Sequence, residues 1–226
     1  MKYQWVLFDA DETLFHFDNY AGLKRMFSHH GVEFAETEFH EYQTLNKSLW
    51  VAYQNDEITA KQLQTQRFQL WSDRLAISTE TLNHQFLDAM AEICEPIAGA
   101  YELIEYLDRQ GICMGIITNG FEQLQRIRLE RTGFLPYFSP VVISELVGVA
   151  KPNPIIFEQA LSEMGNPDKQ KVLMVGDTLA SDILGGQNIG IDTCWLGHHR
   201  ENETDIVPTW QANTLTELLD WFKANH

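Results

Sequence analysis

Two carboxylates stand two residues apart in Val6-Leu7-Phe8-Asp9-Ala10-Asp11-Glu12-Thr13-Leu14, directly after an apolar run with the character of a buried strand. Side chains alternate along an extended chain, so Asp9 and Asp11 share a face if the strand continues, and both can turn toward one ligand if it breaks after Phe8. Like charges this close repel unless a cation lies between them or one keeps a proton. The pair therefore predicts a metal, a raised pKa, or both. Further polar groups also follow apolar runs: Thr118-Asn119-Gly120, Lys151-Pro152, and Gly176-Asp177-Thr178 with Ser181-Asp182. Each alone is explained by a turn, a helix cap or a solvated charge. Together they supply a nucleophile, a hydroxyl and amide cradle, a cation and metal-binding carboxylates.

Such a set supports phosphoryl transfer through a covalent carboxyl phosphate. Asp9 is the expected nucleophile, held where the strand backbone is rigid. Mg²⁺, with Mn²⁺ or Co²⁺ as alternative ions, would be bound by Asp9, the backbone carbonyl of Asp11, and Asp177. The Thr118 hydroxyl and the amides near Asn119 and Gly120 would bind phosphoryl oxygens, while Lys151 neutralises charge that develops in the transition state. Asp182 would orient Lys151 or a metal-bound water. Asp11 would protonate the leaving alkoxide and later take a proton from the hydrolytic water, a dual role that requires a raised carboxyl pKa.

The elements that must position these residues follow from the pattern of the chain. Short apolar runs alternate with helical periodicity: strands at Ile112–Ile117, Val141–Ile143, Val172–Val175 and Thr193–Leu196, with helices between them that stop at Gly111 and Gly133 or open at Pro154. Thr214 and Glu217 form a capping box for the last helix. Strands separated by helices predict a doubly wound α/β fold, a parallel sheet wrapped on both faces. Ligands then collect beyond the carboxyl ends of the strands, where all the polar groups above fall. One stretch interrupts the alternation. Between about Asn19 and Cys94 there is no convincing strand; Phe39, Tyr42, Leu49 and Tyr53 mark one helical stripe, and Leu63, Leu70, Trp71 and Leu75 another behind a Thr59–Gln62 capping box. The expected organisation is a catalytic core of residues 1–17 and 95–226, with an inserted helical bundle at 18–94.

Composition narrows the function. The 226 residues carry 16 basic and 32 acidic side chains, a formal charge of -16, which disfavours nucleic-acid and anionic-membrane partners. No apolar stretch approaches the roughly 20 residues of a membrane span, and Met1-Lys2-Tyr3-Gln4-Trp5 runs straight into a strand, so a cytoplasmic protein is expected. Cys94, Cys113 and Cys194 are odd in number and lie in apolar surroundings, which predicts buried free thiols. The pairs His29-His30 and His198-His199 lack a metal-ligand spacing, and with Glu201, Glu203 and Asp205 are expected outside the site.

Asp9-x-Asp11-x-Thr13, Thr118-Asn119-Gly120, Lys151-Pro152, and Gly176-Asp177 followed by Asp182 resemble, in order and separation, the four motifs of the haloacid dehalogenase superfamily. The resemblance spans the chain and implies that the helical insert is a cap of the first type, which closes over the site and helps select substrate. More narrowly, Phe8–Phe15, Val147–Asn153 and Gly176–Gly186 resemble the bacterial pyrimidine 5′-nucleotidases of this group. That implies a phosphatase for nucleoside 5′-monophosphates such as UMP, dUMP, dTMP and non-standard analogues. An acid at position 11 argues against dehalogenation, which has no alkoxide to protonate. Lys24, Lys47 and Lys61 carry no local motif for a Schiff base. A sugar-phosphate phosphatase or phosphomutase shares the first chemical step and is the alternative; a binder of phosphorylated ligands would be expected to lack Asp9, Asp11 or Asp177, and all are present. Among Phe15, Phe17, Trp50, Tyr53 and Trp71, most are expected in the core, with one or two free to hold a pyrimidine ring.

Overall fold

Val6, Leu7 and Phe8 have no solvent exposure, and this burial explains how an acidic loop is held firmly at the end of a strand. In the computed structural model, which describes residues 2–225, β1 (Trp5–Phe8) lies inside a sheet of six strands. The others are β2 (Cys113–Thr118), β3 (Phe138–Ile143), β4 (Val172–Gly176), β5 (Asp192–Leu196) and β6 (Trp210–Ala212). Their order is β3-β2-β1-β4-β5-β6, and every pairing is parallel. Val6 and Phe8 face one side of the sheet and Leu7 the other, so burial of all three means that both sides are covered. Each such side chain contributes roughly 1.5–3 kcal/mol on leaving water.

The chain runs outward from β1 through β2 to β3, then returns and builds β4, β5 and β6 on the opposite flank. The reversal leaves β1 and β4 side by side, with Phe8 paired to Val175. A crevice beyond their carboxyl ends is the place where such sheets bind ligands. The Leu7 face is packed by Ile156, Phe157, Ala160 and Leu161.

The chain divides into two compact units. The first comprises Met1–His16, Glu95–Gly120 and Leu129–His226, and holds the whole sheet together with the helices α6 (Ala100–Arg109), α8 (Ser144–Val147), α9 (Pro154–Glu163), α10 (Leu184–Asn188) and α11 (Leu215–Ala224). The second comprises Phe17–Cys94 and Phe121–Arg128 and carries α1 (Asn19–Ser28), α2 (Glu36–Gln54), α3 (Ala60–Gln66), α4 (Gln69–Leu75) and α5 (Thr79–Ile93). The helix α7 (Glu122–Arg131) begins in this second grouping, which the alternation of strands and helices gave no sign of.

The helical unit is built on the expected periodicities with one correction. Tyr42, Leu49 and Tyr53 are buried along α2, and the Thr59–Gln62 box caps α3. The stripe through Leu63, Leu70, Trp71 and Leu75 is not one helix: it breaks at Arg67 and Phe68, and Leu70 is exposed. The break turns both residues inward. Arg67 lies over the rings of Phe68, Phe86 and Phe121 at 4.9–5.2 Å from their centroids, and its guanidinium donates to the Asn83 carbonyl oxygen. A buried cation with aromatic and amide partners outweighs one unbroken helix.

Two other expectations are corrected. Cys194 is buried, but Cys113 is exposed and Cys94 only half-buried, although all three carry thiols rather than disulfides. Cys113 opens β2, where the first side chain lies outside the packed layer. The sixth strand leaves no mark in the sequence, because three residues at an edge form no apolar run. No helix among the described residues is long and apolar enough to cross a membrane.

Candidate active site

The carboxyl ends of four strands place the predicted residues. Asp9 is the first residue after β1, and its amide still donates to the Val175 carbonyl at 2.8 Å, so the ladder extends to the carboxylate-bearing residue. Thr118 closes β2, and its hydroxyl accepts from the Gly120 amide at 3.0 Å. Asn119 makes two bonds to the backbone of Lys151: its Oδ1 accepts from the Lys151 amide at 2.7 Å, and its Nδ2 donates to the Lys151 carbonyl at 3.1 Å. The loop after β2 thereby fixes the main chain that carries the lysine.

The Lys151 ammonium is 1% exposed and donates three ways: to Asp9 Oδ1 at 2.5 Å, to the Ile117 carbonyl at 2.7 Å and to Asp182 Oδ1 at 2.8 Å. A lysine has three donors and all are used. Burial alone would lower its pKa, but Asp182 and Asp9 outweigh burial and raise it, so the group stays cationic.

Asp182 is brought to this position by the turn of π-helix Leu179–Ile183, where its Oδ2 accepts from the Thr178 amide at 3.0 Å. Gly176 makes that approach possible. A Cβ at 176 would lie 2.3–2.4 Å from the Asp182 carboxyl and Cβ. Gly176→Ala is therefore expected to displace Asp182, with turnover falling by about 100-fold or more and the melting temperature dropping. Steady-state kinetics beside thermal unfolding would check this; normal values for both would contradict it.

Oxygens of Asp9, Asp177 and Asp182 lie within 4.8 Å of one another, a grouping that could hold a metal ion. All the donors are hard oxygens, the set that suits Mg²⁺ rather than a thiophilic metal. Burial drives the Asp9 carboxyl up to about 7; Lys151 opposes this, while Asp182 and Asp11 reinforce it. Burial and the Asp9 charge likewise raise Asp177, against Thr178 and Arg200. Carboxylates outnumber cations here, so a divalent cation fits the donor set and the charge.

A model of the haloacid dehalogenase-like hydrolases matches residues 3–190. The chain belongs to that family. Among relatives, the pyrimidine 5′-nucleotidase YjjG of Escherichia coli K12 is 55% identical over 219 residues, covering 96% of this chain and 97% of the relative. Pyrimidine 5′-nucleotidase PynA of Streptococcus pneumoniae is 32% identical over 230 residues, covering 100% and 97%. The magnesium-bound crystal structure of the HAD-hydrolase YfnB of Bacillus subtilis superposes with a TM-score of 0.82 at 27% identity, covering 98% of this chain and 99% of that one.

Within this hydrolase, Asp9, Lys151, Asp177 and Asp182 come together, with Thr118 and Asn119 on the adjoining strand end. The Asp11 side chain is not part of the three-carboxylate group, although its charge reaches Asp9. Three further residues bond to the two acidic loops, and no motif marks them. Trp195 donates its indole N–H to the Asp177 carbonyl at 2.9 Å. Arg200 donates to the same carbonyl at 2.8 Å and to Asp177 Oδ2 at 3.2 Å. The ring of His198, expected outside the site, meets the Glu12 carbonyl at 2.7 Å. All three sit on or just after β5, at the same sheet edge as the acidic loops, and that placement was the available signal.

The candidate aromatics separate by burial. Phe15, Tyr53 and Trp71 are core residues: Phe15 packs on Phe134, and Trp71 lies 4.2 Å from Phe27 between ring centroids. Phe17 and Trp50 are half-buried, with Trp50 leaning on Phe121 and Tyr53.

Proposed function

We propose that this hydrolase releases phosphate from pyrimidine nucleoside 5′-monophosphates through transient phosphorylation of Asp9. The observation that carries the reading is the buried Lys151 ammonium shared between Asp9 and Asp182, beside Asp177, in a chain 55% identical to a pyrimidine 5′-nucleotidase. An Asp9 oxygen forms a bond to phosphorus as the bond from phosphorus to the ester oxygen breaks, and the departing alkoxide takes the proton of the Asp11 carboxyl. Asp11, now a carboxylate, removes a proton from water; the water oxygen bonds to phosphorus and the bond to Asp9 breaks, which releases inorganic phosphate and restores both side chains.

Lys151 holds its charge beside the phosphoryl oxygens throughout, and the Thr118 hydroxyl with the amides of Asn119 and Gly120 supplies hydrogen bonds to them. In this reading Gly120 gives up its bond to Thr118 when phosphate binds. Mg²⁺ would be held by Asp9, Asp177 and the Asp11 carbonyl, and would supply positive charge to offset the repulsion between an anionic carboxylate and an anionic phosphoryl group. Asp182 keeps Lys151 in place, since its two oxygens are engaged by the ammonium and by the Thr178 amide. We assign base selection to aromatic side chains, of which Phe17 and Trp50 are half-buried, with stacking on one such ring worth about 1–3 kcal/mol.

A panel of UMP, dUMP, dTMP, AMP and ribose 5-phosphate tests the assignment. The pyrimidine nucleotides should lead in kcat/KM, every activity should vanish in EDTA, and Trp50→Ala should raise KM for UMP by about 5-fold or more with kcat for ribose 5-phosphate unchanged. Equal or faster turnover of the sugar phosphate would remove the nucleotide assignment.

A further inference from the structure

The turn Gly197-His198-His199-Arg200 has a conformation that its residues do not favour. His198 and His199 lie in succession at φ +49° and +62°, the left-handed region, and the Arg200 amide closes the turn on the Gly197 carbonyl at 2.9 Å. Turns with two successive left-handed residues normally use glycine, asparagine or aspartate, because a Cβ is strained there. Two histidines held this way at the edge of a site are a strain that the surrounding structure must sustain, and such strain collects at functional positions.

The conformation delivers two side chains in two directions. Arg200 works as a staple across the strand ends: Nε donates to the Gly197 carbonyl at 3.0 Å, while Nη2 reaches the Asp177 carbonyl at 2.8 Å, Asp177 Oδ2 at 3.2 Å and the Leu196 carbonyl at 3.4 Å. The guanidinium thereby ties the carboxyl end of β5 to the loop after β4, with the Trp195 indole fixing the same Asp177 carbonyl. His198 reaches the other acidic loop through Glu12, itself left-handed at φ +56° and placed between Asp11 and Thr13. His199 is exposed, and its backbone N–H donates to Asn213 Oδ1, a bond that glycine at this position would keep.

We propose that this turn is a positioning device shared by the two acidic loops: Arg200 sets Asp177 for the divalent cation, and His198 sets the Asp11–Thr13 loop for proton transfer. The inference rests on the functional reading given above, and assigns to two residues after β5 a role that no motif in the sequence marks. A fork of coplanar donors suits Arg200 to bracing a carbonyl and a carboxylate together, which a lysine ammonium would do less well.

Four variants separate this from a turn that only closes the fold. Arg200→Ala should weaken Mg²⁺ binding to the substrate-free protein by about 10-fold or more, read by calorimetry and by the Mg²⁺ concentration that gives half the thermal stabilisation, with KM for UMP within about twofold. Arg200→Lys should recover part of that loss, and also serves if the alanine variant does not fold. His198→Gly and His199→Gly relieve the same backbone strain, so both should melt no lower than the parent. They should differ in turnover: His199→Gly keeps kcat, whereas His198→Gly lowers it by about 10-fold.

Unchanged Mg²⁺ affinity in Arg200→Ala overturns the Arg200 assignment. Equal kcat in the two glycine variants overturns that of His198. A parent protein that neither binds Mg²⁺ nor hydrolyses any monophosphate overturns the functional reading itself, before a variant is compared.

Discussion

Asp9→Asn is expected to lower kcat by about 10⁴-fold or more, since an amide cannot form the bond to phosphorus on which both half-reactions depend. The fold should survive the change. In the substrate-free protein without metal, burial holds the Asp9 carboxyl up at about 7, with Asp182 and Asp11 adding to the shift and Lys151 opposing it. An acid whose folded pKa lies above its unfolded value favours folding while protonated and loses that advantage as pH climbs between the two. Asp9 is therefore a burden on the metal-free protein above about pH 7. The asparagine variant should melt no lower than the parent at pH 8 in EDTA, and the ranking should reverse when Mg²⁺ is added, because only the parent gains the full binding energy. A kcat within about 10²-fold of the parent would contradict the first part, and unfolding well below the parent in EDTA would contradict the second.

Lys151→Met carries the second large effect and differs in kind. The methionine fills a similar volume but leaves Asp9 and Asp182 buried without the ammonium that both contact. Breaking a buried pair by deleting one partner costs about 3–5 kcal/mol, equivalent to a fall of roughly 6–20 °C in a chain of this size. Turnover should drop by about 10³-fold through loss of charge stabilisation in the transition state. Lys151→Met/Asp182→Asn should regain part of the stability, because the second change removes one stranded carboxylate, yet regain none of the turnover. If the single variant melts with the parent, Lys151 does not hold the acidic cluster together.

The contrast follows from the connectivity of the strand ends. Asp9 is fixed by the backbone of β1 and by the ladder to Val175, so its side chain is free to react without being needed for packing. Lys151 lies on a loop, and its place depends on Asn119 bonding its backbone while Asp9, Ile117 and Asp182 bond its ammonium. Substitution of a residue held by so many groups loosens the site as well as the chemistry.

Much of this arrangement was legible in the sequence because two physical rules act together. Parallel strands buried on both faces read as short apolar runs, and polar groups at their carboxyl ends face a common crevice. Asp9, Thr118 and Asp177 are legible this way, and Lys151 through its place on the loop that leads into α9. What escaped depends on tertiary contacts. The break between α3 and α4 exists because Arg67 gains aromatic faces and an amide on turning inward, and no periodicity in residues 60–75 encodes those partners. The three-residue edge strand β6 was too short to leave a pattern. His198 and Arg200 leave no mark in the sequence, because the role inferred for them depends on a left-handed turn, which spacing does not reveal.

Rapid acid quench of the enzyme with labelled UMP, followed by digestion and mass spectrometry, tests the central claim most directly. The account predicts a phosphoryl group on Asp9 that forms within one turnover, is released by hydroxylamine and is missing from Asp9→Asn. A burst of uridine with no label on Asp9, or label on another side chain, would contradict it.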